Sequence, residues 1–477
     1  MNTSSPTPPV AITAGIMTGI LTALAHSPMN QGYWGLVALV PILFCIRRET
    51  SKRTLFMAGL IASLGPAYVM FQSIINEFPF AALVAAIAHS IQVIFPLMVW
   101  RTLQRGRGFF HSALGFASFW VLIEVLRSQP ALNGFVTSFY SFAFALPDET
   151  APIFAIVGGA PLLSMGIVAV NALITGLLRT RPNLMPFLLI TSLAGLEVIN
   201  QESHAPISDE SQQVEVALVQ TNWSSTLQWQ SAQPLGMSQE LIVEAVSMMW
   251  GASDTVELII FPEVMLRSSA HISQFHELNR ELTTTVLAGA TAHHKGRQYN
   301  SIVGFYRNTF ETIYHKQQLV PLYETPNFER GQHIATVTLQ NGMTVGIVIC
   351  MDGTSEWILR QTKLAGADFV AIISSTAYGV GYWTPQLQFD VSRRQAAAAQ
   401  LPMVFLASHG PSSITDIHGR LRATMPEGTQ GLLESRVEIP TLSVHPLIGY
   451  YGALCPVLGV FPFIFGVLSD RLRRRPG

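Results

Sequence analysis

The hydrophobic pattern of this chain changes character near residue 200. Before that point, apolar residues come in runs of roughly 15 to 25 between short polar breaks, the length that spans a bilayer as helix. Seven such runs fall at about 10–26, 31–46, 54–75, 79–100, 109–127, 152–178 and 184–199, and an eighth at about 446–469. Between them lies a block of different texture. Residues 214–440 alternate short apolar, strand-like runs with longer amphipathic stretches. The strands are expected at Val214–Gln220, Val256–Phe261, Thr285–Gly289, Asn300–Tyr306, Met343–Ile349, Phe369–Ser374 and Met403–Ala407. Helices are expected at about Gln233–Trp250, Ile272–Thr284, Ser355–Ala365 and Pro385–Gln400. This alternation predicts an α/β sandwich with a central sheet. The expected organisation is a membrane domain over 1–200 with about seven helices, a polar domain over 201–444, and a last membrane helix with a basic tail over 445–477.

Charge then orients the spans. Arg47, Arg48, Lys52 and Arg53 follow the second span, and Arg101, Arg105 and Arg107 the fourth. Arg179 and Arg181 follow the sixth, and Arg471, Arg473, Arg474 and Arg475 the eighth. The loops near 27–30, 76–78 and 128–151 are almost free of Lys and Arg. Basic loops stay on the cytoplasmic side, so with eight spans the polar domain is expected outside the cytoplasm and the C-terminus inside. Ala23-Leu24-Ala25 resembles a signal-peptide cleavage site, but the region before it lacks the usual Lys or Arg.

Composition supports the membrane reading: charged residues make up 12% of 477, against about 25% in soluble domains. A net charge of −1 gives no electrostatic case for nucleic acid. The three cysteines are Cys45, Cys350 and Cys455, and only Cys350 lies outside the apolar spans. No disulfide framework follows. His293-His294 has no Cys, His or acid cluster nearby and reads as a solvated turn, so neither metal nor cofactor is expected.

The chemistry is expected in the polar domain. Glu263 ends LIIFPE, Lys316 follows the ETIY run, and Cys350 ends Met343–Ile349, all at or just after strand ends, where sites gather in α/β sheets. Together they offer a base, a cation for an oxyanion and a nucleophile, the parts of acyl transfer through a thioester. Each also has a structural reading: a small core cysteine, a carboxylate at a helix start, a lysine at a strand edge.

In this order the three residues resemble the Glu–Lys–Cys triad of the carbon–nitrogen hydrolase (nitrilase) superfamily. Joined to eight spans, the chain resembles the apolipoprotein N-acyltransferase family of bacteria. The likeness rests on VALVQTNWSSTLQW (216–229), LIIFPEVML, YHKQQLVPLYETP and VICMD, with Ala25-His26-Ser27-Pro28 and FWVLIEVLR (119–127) in the membrane part. It implies a nitrilase-like sandwich in the bacterial inner membrane's extracytoplasmic compartment, with Glu263, Lys316 and Cys350 catalytic and Glu324 supporting them. It further implies a phospholipid acyl donor and the diacylglyceryl-cysteine of an apolipoprotein as acceptor. Trp229, Asp352, Tyr378 and Trp383 are candidate substrate-binding residues, the last two within a glycine-aromatic lid, YGVGYW. The chain departs from the family at Met351-Asp352, where an aromatic residue and Glu are usual. It departs again at Ser375–Gly379, where Asn-Asp-x-Trp-Phe-Gly is usual, at Phe135-Val136-Thr137, where Phe-Pro-Trp is usual, and in a shorter segment between Glu324 and Cys350. Alternatives are a membrane-tethered amidase of the superfamily, an acyltransferase with another amine acceptor, and a transporter or scaffold with an inactive outer domain.

Overall fold

The computed structural model describes residues 7–26, 29, 32–77, 80–104, 109–127, 141–146, 151, 153–154, 159–180, 211–223, 239–306, 309–320, 324–376 and 384–440. The chain divides into two compact units. One comprises residues 1–129, 136–204 and 447–477; the other comprises 130–135 and 205–446.

Among the described residues the first unit is helical: α1 (Pro8–Ala25), α2 (Val40–Cys45), α3 (Lys52–Glu77), α4 (Ala81–Leu103), α5 (Phe109–Arg127) and α6 (Ala160–Thr180). Of these, α1 and α6 are long and apolar enough to cross a membrane by length and composition. Gly15 and Gly19 on α1 lie against the backbone at Ala58 and Ala62 on α3, where an added Cβ would crowd the carbonyl oxygens. Small residues four apart let helix backbones approach closely, the usual device where apolar burial alone does not hold helices together. The expected span at 31–46 is instead a 3-10 turn, Gly32–Leu36, followed by the six-residue α2. Gly32, Gly35 and Pro41 break its helical continuity. Within the expected span at 152–178, Ile153 and Phe154 are helical, and α6 runs from Ala160, directly after Gly159 with its φ of 121°. The expected spans at 184–199 and 446–469 lie outside the described residues.

Two buried polar side chains bind elements of this unit together. Asn171 on α6 accepts from the Leu39 amide at 2.8 Å and donates to the Gly35 carbonyl at 2.8 Å. The buried Glu124 on α5 accepts from Trp120 Nε1 (2.8 Å), Ser141 Oγ (2.9 Å) and the Phe142 amide (3.1 Å). It thereby ties the Ser141–Phe142 turn to the helix.

The second unit contains two six-stranded sheets rather than the expected single one. In chain order the strands are β1 (Ser211–Gln220), β2 (Leu258–Ile260), β3 (Thr285–His294), β4 (Arg297–Tyr306), β5 (Thr309–His315), β6 (Ala335–Thr338), β7 (Thr344–Ile349), β8 (Phe369–Ser374), β9 (Met403–Ala407), β10 (Ser412–Thr415), β11 (Leu421–Met425) and β12 (Gly431–Pro440). One sheet has the order β12-β1-β2-β3-β4-β5 and the other β11-β10-β9-β8-β7-β6. Each has three central parallel strands, β1–β3 or β7–β9, flanked by antiparallel ones. Helices cross between the parallel strands: α7 (Gln239–Met249), α8 (Ser269–Asn279), α9 (Glu356–Leu364) and α10 (Thr384–Ala398).

This explains the unbroken apolar runs. Ala217, Val219, Ile259 and Phe261 pack with Ile242, Val246 and Phe275 of α7 and α8. Val370, Ile372 and Phe405 pack with Ile358, Leu359 and Phe389 of α9 and α10. The alternate residues, among them Leu218, Ile260, Leu287, Ile347, Ile373 and Leu406, are equally buried. They fill the space between the sheets, where β1 meets β9 and β5 meets β6 and β7. A strand covered on both faces has no polar face to alternate with. His293 and His294 end β3 at a two-residue hairpin, Lys295-Gly296, whose residues both have positive φ.

Glu124→Ala leaves three buried donors without their acceptor, each costing about 1–3 kcal/mol. Thermal unfolding of the purified chain is expected several degrees below wild type, with Glu124→Gln losing less.

Candidate active site

The Glu263 segment leaves β2 through Phe261-Pro262 and bends at once, with Val264 at a φ of 52°. That left-handed conformation is rare for a β-branched residue and marks a constrained position. The bend lies across β3: the Gly289 amide donates to the Pro262 carbonyl (3.1 Å), and the Leu266 amide donates to the Gly289 carbonyl (2.9 Å). Only glycine fits at 289, because a Cβ there would collide with the Cα of Glu263 and the carbonyl of Pro262. Lys316 follows β5, and its own amide donates to the Asn300 carbonyl on β4 at 2.8 Å.

These placements bring Glu263, Lys316 and Glu324 together, each about 99% buried. Lys316 Nζ lies 2.8 Å from Glu263 Oε1 and 2.9 Å from Glu324 Oε1. Asn300 Nδ2 donates to the same two oxygens, at 2.7 and 2.9 Å. One ammonium and one carboxamide thus bridge two carboxylates. The outer oxygens take backbone donors: Glu263 Oε2 accepts from the Ser375 amide and Glu324 Oε2 from the Val320 amide, both at 2.7 Å. An ammonium has three protons, and two are committed here.

Cys350 follows β7 with a φ of 50° and opens a tight turn, Cys350–Thr354, that leads into α9. Its thiol is buried, and Sγ accepts from Gln388 Nε2 on α10 at 3.3 Å. Burial and the charge of Glu263 push the thiol up to about 12, while Lys316 pulls the other way. Burial raises the carboxyl of Glu263 above its usual range, and Lys316 opposes it. Burial disfavours the Lys316 ammonium, but the anionic groups around it outweigh that, and its pKa stays well above the ordinary value. At neutral pH the site therefore holds a neutral thiol beside a fixed cation.

Asp352 was expected to meet substrate. Its described hydrogen bonds all go instead to the lysine segment: Oδ2 accepts from Tyr314 (2.8 Å) and the Gln317 amide (3.1 Å), and Oδ1 from the Gln318 amide (2.7 Å). Burial raises its carboxyl to about 6, against the pull of Lys316 and these donors. Asp352 thus couples the cysteine turn to the lysine segment. Trp229, Tyr378 and Trp383 lie outside the described residues. Sequence reasoning did not single out Asn300, Ser374, Ser375 or Gln388. Asn300 had one available signal, a polar residue inside an otherwise apolar strand.

Two family models match the chain. The carbon-nitrogen hydrolase model covers residues 215–443, the part that carries both sheets and the Glu263–Lys316–Cys350 cluster, so this unit has the nitrilase-like α/β fold. The model of the apolipoprotein N-acyltransferase N-terminal domain covers residues 18–201. Proteins named apolipoprotein N-acyltransferase are similar end to end. That of Vibrio vulnificus is 22% identical, with 91% of this chain and 92% of the relative covered. That of Pseudomonas putida is 23% identical over the same shares. That of Pseudomonas paraeruginosa is 22% identical, with 96% of each covered. With both domains present in one continuous match, the chain belongs to the apolipoprotein N-acyltransferase family.

Lys316→Met would leave Glu263 and Glu324 buried without their shared ammonium. The expected loss of stability is about 3–5 kcal/mol. Adding Glu324→Gln should restore part of it, and thermal unfolding of the single and double variants checks both.

Proposed function

We propose that this chain transfers an acyl chain from a membrane phospholipid to the α-amine of the N-terminal diacylglyceryl-cysteine of apolipoproteins, through a thioester on Cys350. The observation that carries this reading is the buried Lys316 ammonium, held at 2.8 and 2.9 Å between Glu263 and Glu324, with its charge acting on the Cys350 thiol in a chain that matches the family in both domains.

In the first half-reaction Cys350 Sγ attacks the ester carbonyl and its proton passes to Glu263. The third N–H of Lys316 and the Met351 amide stabilise the tetrahedral oxyanion, an effect usually worth about 3–4 kcal/mol per donor. The lysophospholipid alkoxide leaves with the proton from Glu263. In the second half-reaction the acceptor amine attacks the thioester, gives its proton to Glu263, and releases Cys350, which is reprotonated. Glu324 holds Lys316 in place. Trp229, Tyr378 and Trp383 are assigned to the acyl groove on sequence grounds.

The helical unit anchors the enzyme in the bacterial inner membrane with about eight spans, counting 184–199, 446–469 and the broken helical stretch Gly32–Cys45 as one span each, and the catalytic unit faces away from the cytoplasm. The alternation of basic and charge-poor loops supports this orientation. It sets the catalytic unit beside the outer leaflet, where the donor lies and where exported lipoproteins arrive.

Mass spectrometry of the purified chain with phospholipid is expected to find an acyl mass on Cys350 and none in Cys350→Ser. A diacylglyceryl-cysteine peptide should remove it and carry it on its amine. Discharge only to water would replace the transferase reading with a lipid-directed hydrolase, and no adduct on a folded chain would refute the thioester. In Gly289→Ala the collision with Glu263 displaces the base. Acyl-enzyme formation is expected to slow about 100-fold, the scale of a 1 Å misplacement, with the sheets still folded by circular dichroism.

A further inference from the structure

Gln388 is a residue whose place is hard to explain by packing. It is fully buried on α10, a helix in which almost every residue is buried. Its carboxamide nitrogen has two protons, and the structure commits both: one to Cys350 Sγ at 3.3 Å, the other to Ser374 Oγ at 3.1 Å. Ser374 ends β8, beside the Ser375 amide that holds Glu263. The Ser374 hydroxyl, accepting from Gln388, has its own proton to give to the sulfur.

We propose that Gln388, with Ser374, is a positioning residue that aims the Cys350 sulfur and stabilises it selectively as a thiolate. A neutral thiol is a weak acceptor, so the Gln388 bond contributes little at rest. A thiolate is a strong one, and hydrogen bonds to ionised acceptors are roughly twice as strong. The same contact therefore grows as the proton leaves, which is the condition for lowering a barrier rather than merely binding. The Gln388–Ser374–Cys350 chain adds to this, because each bond polarises the next. The charged groups acting on the sulfur are Glu263, Lys316 and Glu324. Both carboxylates oppose the thiolate, and Lys316 is the cation among them. Uncharged donors from α10 and β8 supply the remainder without bringing in another charge. In the proposed acyl transfer, on which this role rests, the sulfur becomes anionic twice: as nucleophile towards the ester and as leaving group from the thioester.

The test is the rate at which iodoacetamide alkylates Cys350 in the full chain, followed by peptide mass so that Cys45 and Cys455 do not interfere. Gln388→Met keeps the volume and removes the donor. It should slow alkylation about threefold to tenfold between pH 7 and 9. The loss of thiolate is partly offset by the greater nucleophilicity of a more basic sulfur. Gln388→Glu keeps the shape and should slow alkylation progressively more as pH rises through the titration of the new carboxyl. It also serves if the methionine variant does not fold. Unchanged rates in folded variants, or an equal and pH-independent slowing in both, would reduce Gln388 to a packing residue and overturn the proposal. Alkylation does not require acyl transfer. A wild-type chain that forms no acyl-enzyme would sink the proposed function while leaving the thiolate assignment standing on its own result.

Discussion

The ion cluster of Lys316 with Glu263 and Glu324 is the constraint around which the catalytic unit is arranged. Three ionisable groups sit where almost no water reaches. Removing such groups from water costs several kcal/mol each, and attraction offsets that only where the geometry is good and the remaining lone pairs are satisfied. Both conditions are met, by Asn300 on the inner oxygens and by the Ser375 and Val320 amides on the outer ones. The donors come from both sheets: Asn300 belongs to the β1–β5 sheet and Ser375 follows β8 of the other. The charge cluster therefore depends on the two sheets being in register with each other. It is also the point at which a misplaced sheet would be most strongly penalised.

The backbone around the cluster is shaped for the same end. Val264 and Cys350 both have positive φ, which is costly for residues with a Cβ. Each sits where a parallel strand gives way to a sharp turn, so that a side chain leaves the strand end rather than joining the helix-packed core. Asp352 answers the strain on the cysteine side. Its carboxylate holds Tyr314 and the amides of Gln317 and Gln318, so the turn carrying the nucleophile and the segment carrying the lysine are one hydrogen-bonded piece. The resemblance leads to glutamate at this position; the chain has the aspartate, one methylene shorter, and Asp352 makes that connection.

Much of this was legible in the sequence where apolar runs are continuous. β8 and β9 coincide with their expected bounds, and β7 differs by one residue, because strands buried on both faces leave an unbroken signal. Among the flanking strands, β4 was expected from Asn300, but β6, β10, β11 and β12 had no expected counterpart. β11, LRATM, and β12, GLLESRVEIP, are half-exposed and charged. β12 pairs with β1 across the whole polar domain, a pairing that no local pattern records. Without β6, β10 and β11 the second sheet could not be counted. Glu263, Lys316 and Cys350 could be found because they end or follow apolar runs, and Glu324 came from the family resemblance. Gln388 could not. TPQLQFDVSRRQAAA has the composition of a helix with a polar, solvated face, yet nearly all of it is buried, and Gln388 is turned to Cys350 and Ser374.

The neutral thiol that results has a consequence for chemistry at a membrane. A preformed thiolate in an apolar site would react with any electrophile or oxidant that reached it. Here burial and two carboxylates hold the thiol up to about 12, so at neutral pH the resting sulfur keeps its proton. Glu263, the base in the proposed acyl transfer, is itself raised by burial, and a raised carboxylate is a stronger proton acceptor. Its attachment to Lys316 then becomes functional. In the proposed transfer, protonating Glu263 weakens its hold on the ammonium and leaves more of the Lys316 charge for the oxyanion as that charge forms. Base and cation are coupled through one 2.8 Å contact, and Glu324 keeps the ammonium from leaving altogether. This gives the second carboxylate a physical reason: a single Glu–Lys pair would lose its cation's position whenever the base was protonated, whereas the shared ammonium would stay placed through both proposed half-reactions.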